Sequence, residues 1–201
     1  MEGIYFYWFV WIGWIYVTFI LNKTKTRFIT ALLLLLLIIF SKHSITLFNV
    51  TLNISIILCL FIGYYLISMR KFSSIFYYLS VSFILTSSFV SFRLFQLYDP
   101  VWVMFHPTFK LSLLLLLLTL LLIKDQIMRI SILFVTIAQG EIIFSLFLNS
   151  YVNLYANNQL ESLDVVAISV TLTYFWFLFE QFVKLFEKFV KQKAFISAPK
   201  R

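Results

Sequence analysis

The chain has 201 residues, 62% of them hydrophobic and 12% charged, with a mean hydropathy of +0.98 and a formal net charge of +8. A soluble domain carries about 25% charged residues, so this chain cannot furnish a water-covered surface of ordinary size, and lipid must cover most of its outside. Three prolines and four glycines exclude a loop-rich or disordered chain, and the length allows one compact helical domain without a second soluble one.

Taken in chain order, seven apolar segments approach the roughly 20 residues that a spanning helix needs. The first runs from about Ile4 to Leu21. It reads as a retained helix and not a cleaved signal: Glu2 stands where a positive region would, and Lys23, Lys25 and Arg27 follow the apolar run. Trp8, Trp11 and Trp14, spaced by three, form an aromatic stripe suited to packing or lipid contact. The second segment, about Phe28 to Ser41, is short and contains six consecutive leucines, Leu32 to Leu37. Ser41-Lys42-His43-Ser44 separates it from a third, about Ile45 to Ile67; the break is either a tight turn between two spans or the floor of a re-entrant loop, and the length of the combined stretch favours the turn. The fourth, about Phe72 to Leu97, is rich in hydroxyls. Ser80, Ser87 and Ser91 share one helical face, where small polar residues suit tight helix packing. The fifth, about Phe109 to Ile123, would be kinked at Pro107 if it started near Val101. The sixth covers about Ile130 to Leu148 and the seventh about Val165 to Val183. These segments predict an all-α, polytopic transmembrane bundle of about seven spans over residues 1–183, followed by a basic amphipathic tail, 184–201.

The basic residues orient it. Cytoplasmic loops collect Lys and Arg. With the amino terminus outside, every one of the 16 basic residues except Lys42, Arg93 and Lys110 falls in an inside connection or the tail. The carboxyl terminus is then cytoplasmic. The net charge is this positive-inside signature and calls for no nucleic-acid partner. Between the sixth and seventh segments, Asn149 to Asp164 reads as an outside loop without Lys or Arg, in which Ser162 and Asp164 would cap the seventh helix. Tyr98 to Trp102 reads as an interfacial turn. In the tail, Lys184, Lys188, Lys191 and Lys193 lie beside an apolar face begun by Phe182, Leu185 and Phe186. Glu180–Lys184 and Glu187–Lys191 are i,i+4 pairs. Such a tail suits anionic lipids at the cytoplasmic face.

Two charges stand out. An ionised side chain at the bilayer centre costs at least about 2.5–3.5 kcal/mol, so Arg93 and Glu141 should meet each other if the fourth and sixth helices are neighbours. Gln139 adds polarity beside them, and Gly140 would let another helix approach closely. This trio is the candidate intramembrane polar site. It reads as a structural ion pair or as a solute or proton site. Catalytic, cofactor and metal sites are not expected. Cys59 is the only cysteine and His43 and His106 the only histidines, in no metal-ligand spacing. No P-loop or nucleophile-elbow motif occurs. The chain is therefore expected not to be an enzyme.

The opening Met-Glu-Gly-Ile-Tyr-Phe-Tyr-Trp-Phe-Val-Trp-Ile-Gly-Trp, residues 1 to 14, with the basic loop Asn22 to Arg27, resembles the YphA family of small integral membrane proteins of Bacillus-type bacteria. The resemblance implies a multi-pass protein of the bacterial plasma membrane and a link to spore formation, and it carries over no site residues. The function expected is that of a non-enzymatic structural or accessory component of the envelope, acting with the lipid bilayer and other membrane proteins. The alternative is a small-solute or ion transporter or channel using the Arg93/Glu141 region.

Overall fold

The structure, a computed structural model, describes residues 3–47, 50–99, 106–151 and 159–197. These residues form seven helices and one hairpin: α1 (Ile4–Ile15), α2 (Lys25–Phe40), β1 (Ser44–Leu47), β2 (Val50–Asn53), α3 (Ile54–Ser68), α4 (Phe72–Tyr98), α5 (Pro107–Leu122), α6 (Gln126–Tyr151) and α7 (Gln159–Ser197). A π-helical turn, Tyr16–Ile20, extends α1 until Leu21 leaves the helix in an extended conformation. Thr24 then starts α2, its Oγ1 accepting from the Arg27 backbone N–H at 3.3 Å.

The third segment departs from expectation. Its first residues form the antiparallel hairpin β1–β2, with Ser44 opposite Asn53 and Thr46 opposite Thr51, and α3 begins only at Ile54. The β-branched Ile45, Thr46, Val50 and Thr51 favour the pleated ribbon. Asn53 ends it by capping α3: its Oδ1 accepts from Ser55 N at 2.8 Å, while its Nδ2 donates to Ser41 O at 2.6 Å. Instead of a simple turn, Ser41 to Ser44 leads into a hairpin tied to the end of α2. With 15 residues, α3 is about 22 Å long.

Pro107 stands at the first turn of α5, where its missing N–H is harmless, so it starts the helix and does not kink it. The interfacial turn expected at Tyr98 to Trp102 lies mostly outside the described residues. α7 begins at Gln159, six residues before the expected start, and runs 39 residues through the 183/184 boundary without a break. Glu161, Ser162 and Asp164 are thus helical and not loop residues. Asp164 does not cap α7. Its carboxylate accepts from Gly3 N at 2.8 Å and Phe6 N at 2.7 Å, so α7 caps α1 from across the bundle. Gly3 holds a φ of 84°, which a side chain would strain.

Consecutive helices alternate in direction. The amino-terminal end of the bundle gathers Gly3 with Asp164, and Tyr5 edge-on to Phe109 at 5.4 Å. It also holds the Tyr7 hydroxyl 2.7 Å from Ser41 Oγ. At the opposite end Arg70 meets Asp125, the Tyr77 hydroxyl donates to Leu122 O at 2.7 Å, and Gln126 Nε2 donates to Thr173 O at 3.2 Å. Lys23, in the connection from α1 to α2, and Lys25 and Arg27, in the first turn of α2, share this second, basic end.

α6 is the core. Ile132, Leu133, Val135, Ile137 and Ala138 are buried among α3, α4 and α7. Lipid tails are as apolar as leucine, so close packing, and not exclusion from water, holds such helices together. Two glycines allow close approaches. A Cβ on Gly63 of α3 would lie 2.6 Å from Val135 Cγ2 and 2.7 Å from Ser131 O. One on Gly140 of α6 would lie 2.3 Å from the Phe89 ring of α4, the close approach expected there.

Outward faces are apolar: Phe72, Phe76, Phe83 and Phe95 of α4 and Trp8 and Trp11 of α1 are all exposed. The Ser80/Ser87/Ser91 face of α4 is exposed too, so it does not pack inside the bundle as expected. Ser80 and Ser87 donate to their own helix, at Phe76 O (3.1 Å) and Phe83 O (3.0 Å), which removes their need for a partner helix. α4, α6 and α7 are each long and apolar enough to cross a membrane, over Phe72–Tyr98, Gln126–Leu148 and Leu160–Lys188; α3, α5 and the extended α1 are shorter apolar helices.

Candidate functional site

Three helices converge on Arg93. α4 carries it four residues from the segment end expected at Leu97, α6 brings Glu141, and the first turns of α7 bring Glu161 and Ser162. Arg93 Nη1 donates to Glu161 Oε2 at 2.8 Å, and Nη2 donates to Ser162 Oγ at 3.0 Å. Glu141 Oε2 lies 4.0 Å from Nη2, at the limit of an ion pair, and accepts a short hydrogen bond from the Ser162 hydroxyl. Arg93 and Glu141 are therefore brought together, but through Ser162. Phe89 and Phe144 flank the guanidinium, with ring centroids 5.6 and 5.7 Å from Cζ. Arg93, Glu141 and Ser162 are buried. Arg93 Nε is buried with no hydrogen-bond partner among the described residues.

Gln139 belongs to another network. Its Oε1 accepts from Thr86 Oγ1 at 3.2 Å, and its Nε2 donates to the Tyr64 hydroxyl, linking α6 to α4 and α3. Residues two apart on an α-helix point about 200° apart, so Gln139 cannot share a pocket with Glu141. Glu161 and Ser162 are the members that sequence reading missed. It had assigned both to a loop, and the earlier start of α7 turns them into the bundle.

A second charge cluster occupies the basic end. Arg129, expected in an inside connection, is buried within α6. Its Nε donates to Ile123 O at 2.8 Å and its Nη1 to Glu180 Oε1 at 3.1 Å. Glu180 also accepts from Trp176 Nε1 at 2.8 Å. It therefore turns away from the expected i,i+4 pairing with Lys184, because a buried guanidinium needs a counter-charge more than an exposed ammonium does. Arg70 and Asp125 pair across the two short connections that flank α4 and α5.

The remaining expected positions are scattered. His43 Nδ1 lies 3.2 Å from Ile39 O, and His106 directly precedes Pro107. No group of three or more His, Cys, Asp or Glu that could hold a metal occurs among the described residues. In the tail, Lys184 and Lys188 are exposed on α7 beside exposed Phe182, Leu185 and Phe186. The Lys191 and Lys193 side chains lie outside the described residues.

No solved structure matches this chain. An "Uncharacterized protein YphA" of Bacillus subtilis (strain 168) is 33% identical over 150 residues, covering 72% of each chain. The family model described as "YphA-like integral membrane protein" matches residues 2–196, nearly the whole bundle and most of α7. With the apolar helices and lipid-facing surface described above, this match establishes that the chain belongs to the YphA-like integral membrane family.

Proposed function

We propose that the chain is a non-enzymatic, multi-pass structural or accessory protein of the bacterial plasma membrane, working through other membrane proteins and linked to spore formation. One observation carries the non-enzymatic reading: the charges of the buried Arg93 cluster are spent on one another. Arg93 engages Glu161, Ser162 and, at longer range, Glu141, so the cluster ties α4, α6 and α7 together. The link to spore formation is what the resemblance of residues 1 to 14 and Asn22 to Arg27 implies. Deleting the gene and counting heat-resistant spores tests it; an undiminished count would reject it.

The basic end faces the cytoplasm in this proposal, with the amino terminus outside. Its support is the gathering of Lys23, Lys25, Arg27, Arg70, Lys71 and Lys124 at one end of the alternating bundle. There the exposed Lys184 and Lys188 of α7 would meet anionic lipid. Cys59 is the sole cysteine and is buried, so a Cys59→Ala background allows single cysteines to be placed at residue 71 or 44. A membrane-impermeant thiol reagent on intact cells should label position 44 and spare 71, and the reverse pattern would invert the orientation.

A double-mutant cycle of Arg93→Gln and Glu141→Gln, read as thermal stability in detergent, tests the structural role. Each single change should destabilise, and the double should recover part of the loss. One observation favours a second reading, passage of a small solute or ion by Arg93 and Glu141: the buried Arg93 Nε has no hydrogen-bond partner among the described residues. Single variants that keep or gain stability, together with solute uptake into proteoliposomes that Arg93→Gln abolishes, would decide for it.

A further inference from the structure

A groove of about 820 Å³ runs along the basic end between the π-helical end of α1 and the first half of α2. Its head is cationic. Lys23, Lys25 and Arg27 line it within five residues, Lys23 and Lys25 exposed and Arg27 half-buried. None of the ion pairs among the described residues uses them. Arg27 Nη1 donates to Leu21 O at 3.2 Å, which holds the guanidinium over the linker. The amino terminus of α2 adds the positive end of a 16-residue helix to the same place.

The groove continues as an apolar trough. Phe28, Leu32 and Leu35 line it at helical spacing along α2. On the α1 side stand Trp14 of α1 and Thr18 of its π-helical extension. Both line the groove, with the Trp14 Nε1 and Thr18 Oγ1 atoms themselves shielded from water and without a hydrogen-bond partner among the described residues. A π turn, which often marks a functional site, carries Thr18 to this position.

We propose that this groove binds one anionic phospholipid of the surrounding bilayer. The phosphodiester lies among Lys23, Lys25 and Arg27, and an acyl chain fills the trough along α2 beside Trp14 and Thr18. A free anion would leave the apolar trough empty, and a neutral lipid would leave three cations without a counter-charge. Basic pockets between membrane helices recognise lipid headgroups in this way. The site is distinct from the contact of the α7 tail with the leaflet proposed above, and a tail variant separates the two.

The test is titration of the full-length protein in detergent with phosphatidylglycerol carrying brominated acyl chains, read by quenching of tryptophan fluorescence. Saturable quenching is expected, with a smaller amplitude in Trp14→Phe. Each basic residue near a lipid surface contributes roughly fivefold in affinity, so the Lys23→Gln/Lys25→Gln/Arg27→Gln variant should bind about 100-fold more weakly. Lys184→Gln/Lys188→Gln should titrate like the parent. The charge-keeping Lys23→Arg/Lys25→Arg/Arg27→Lys variant should also bind like the parent, which guards against misfolding of the neutral one. Four results would each overturn the proposal: equal quenching by brominated phosphatidylcholine, displacement by inorganic phosphate, an unaltered titration in the triple neutral variant, or an equal loss in the tail variant.

Discussion

The two ends of the bundle solve the same problem at different depths. At the amino-terminal end, one arginine sits among two carboxylates, a serine hydroxyl and two aromatic rings; the side chains of Arg93 and Glu141 are 8% and 5% exposed. At the basic end, Arg70 and Asp125 pair in the open, at 40% and 41% exposure, and Arg129 is buried against a Glu180 that is 31% exposed. The first cluster joins three helices, while the Arg70–Asp125 pair joins two connections. Burial teaches what each is worth. Water screens an exposed pair to within about 1 kcal/mol of nothing. Removing one member of a buried pair leaves the other charge in a medium that cannot solvate it.

The largest expected effect follows from this contrast. Arg93→Gln should destabilise the protein by about 3–5 kcal/mol, since Glu161 and Glu141 then face each other without a cation. Adding Glu141→Gln should restore part of the loss. Thermal unfolding in detergent measures both, and a loss below about 1 kcal/mol for Arg93→Gln would erase the distinction between the ends. Next comes the backbone contact beneath the clusters. Gly63→Ala pushes a methyl onto Val135 and the Ser131 carbonyl, so it should cost about 1–3 kcal/mol through overpacking. Full stability of this variant would mean that α3 and α6 can separate at no cost.

A comparable or smaller loss, about 1–3 kcal/mol, is expected for Asp164→Ala, which strips the acceptors from the Gly3 and Phe6 amides. Hydrogen exchange should then rise in the first turn of α1 and not in α3, and uniform exchange would contradict a local cap. The smallest effect belongs to Arg70→Gln: at most about 1 kcal/mol, shrinking further as salt rises. A loss as large as that of Arg93→Gln would show that burial does not rank these charges.

Much of this architecture is legible from the chain itself. The apolar segments locate seven helices, although the third starts nine residues late and the seventh six residues early. Asn53 was the available signal for the first error, because an Asn before Ile-Ser and an apolar run is an N-cap pattern. For the second, the acidic Glu161 and Asp164 look like loop residues only while their partners are unknown. Helical geometry alone separates Gln139 from Glu141, since residues two apart on a helix cannot share a face. The hydroxyl face of α4 was misread because hydroxyls that bond their own helix leave no trace in the sequence.

Composition and the spacing of charges determined that this protein lives in lipid, that it is helical, and that most of its basic residues fall at one end of an alternating bundle. Those properties depend on transfer free energies and local hydrogen bonding, which each segment carries alone. Only the tertiary structure decided that Arg93 finds Glu161, 68 positions along the chain, more closely than Glu141. It alone decided that Asp164 caps α1 and that Arg129 takes Glu180 from Lys184. Partner choice depends on the rotation and depth of each packed helix, and small residues such as Gly63 and Gly140 set those through contacts between segments distant in sequence.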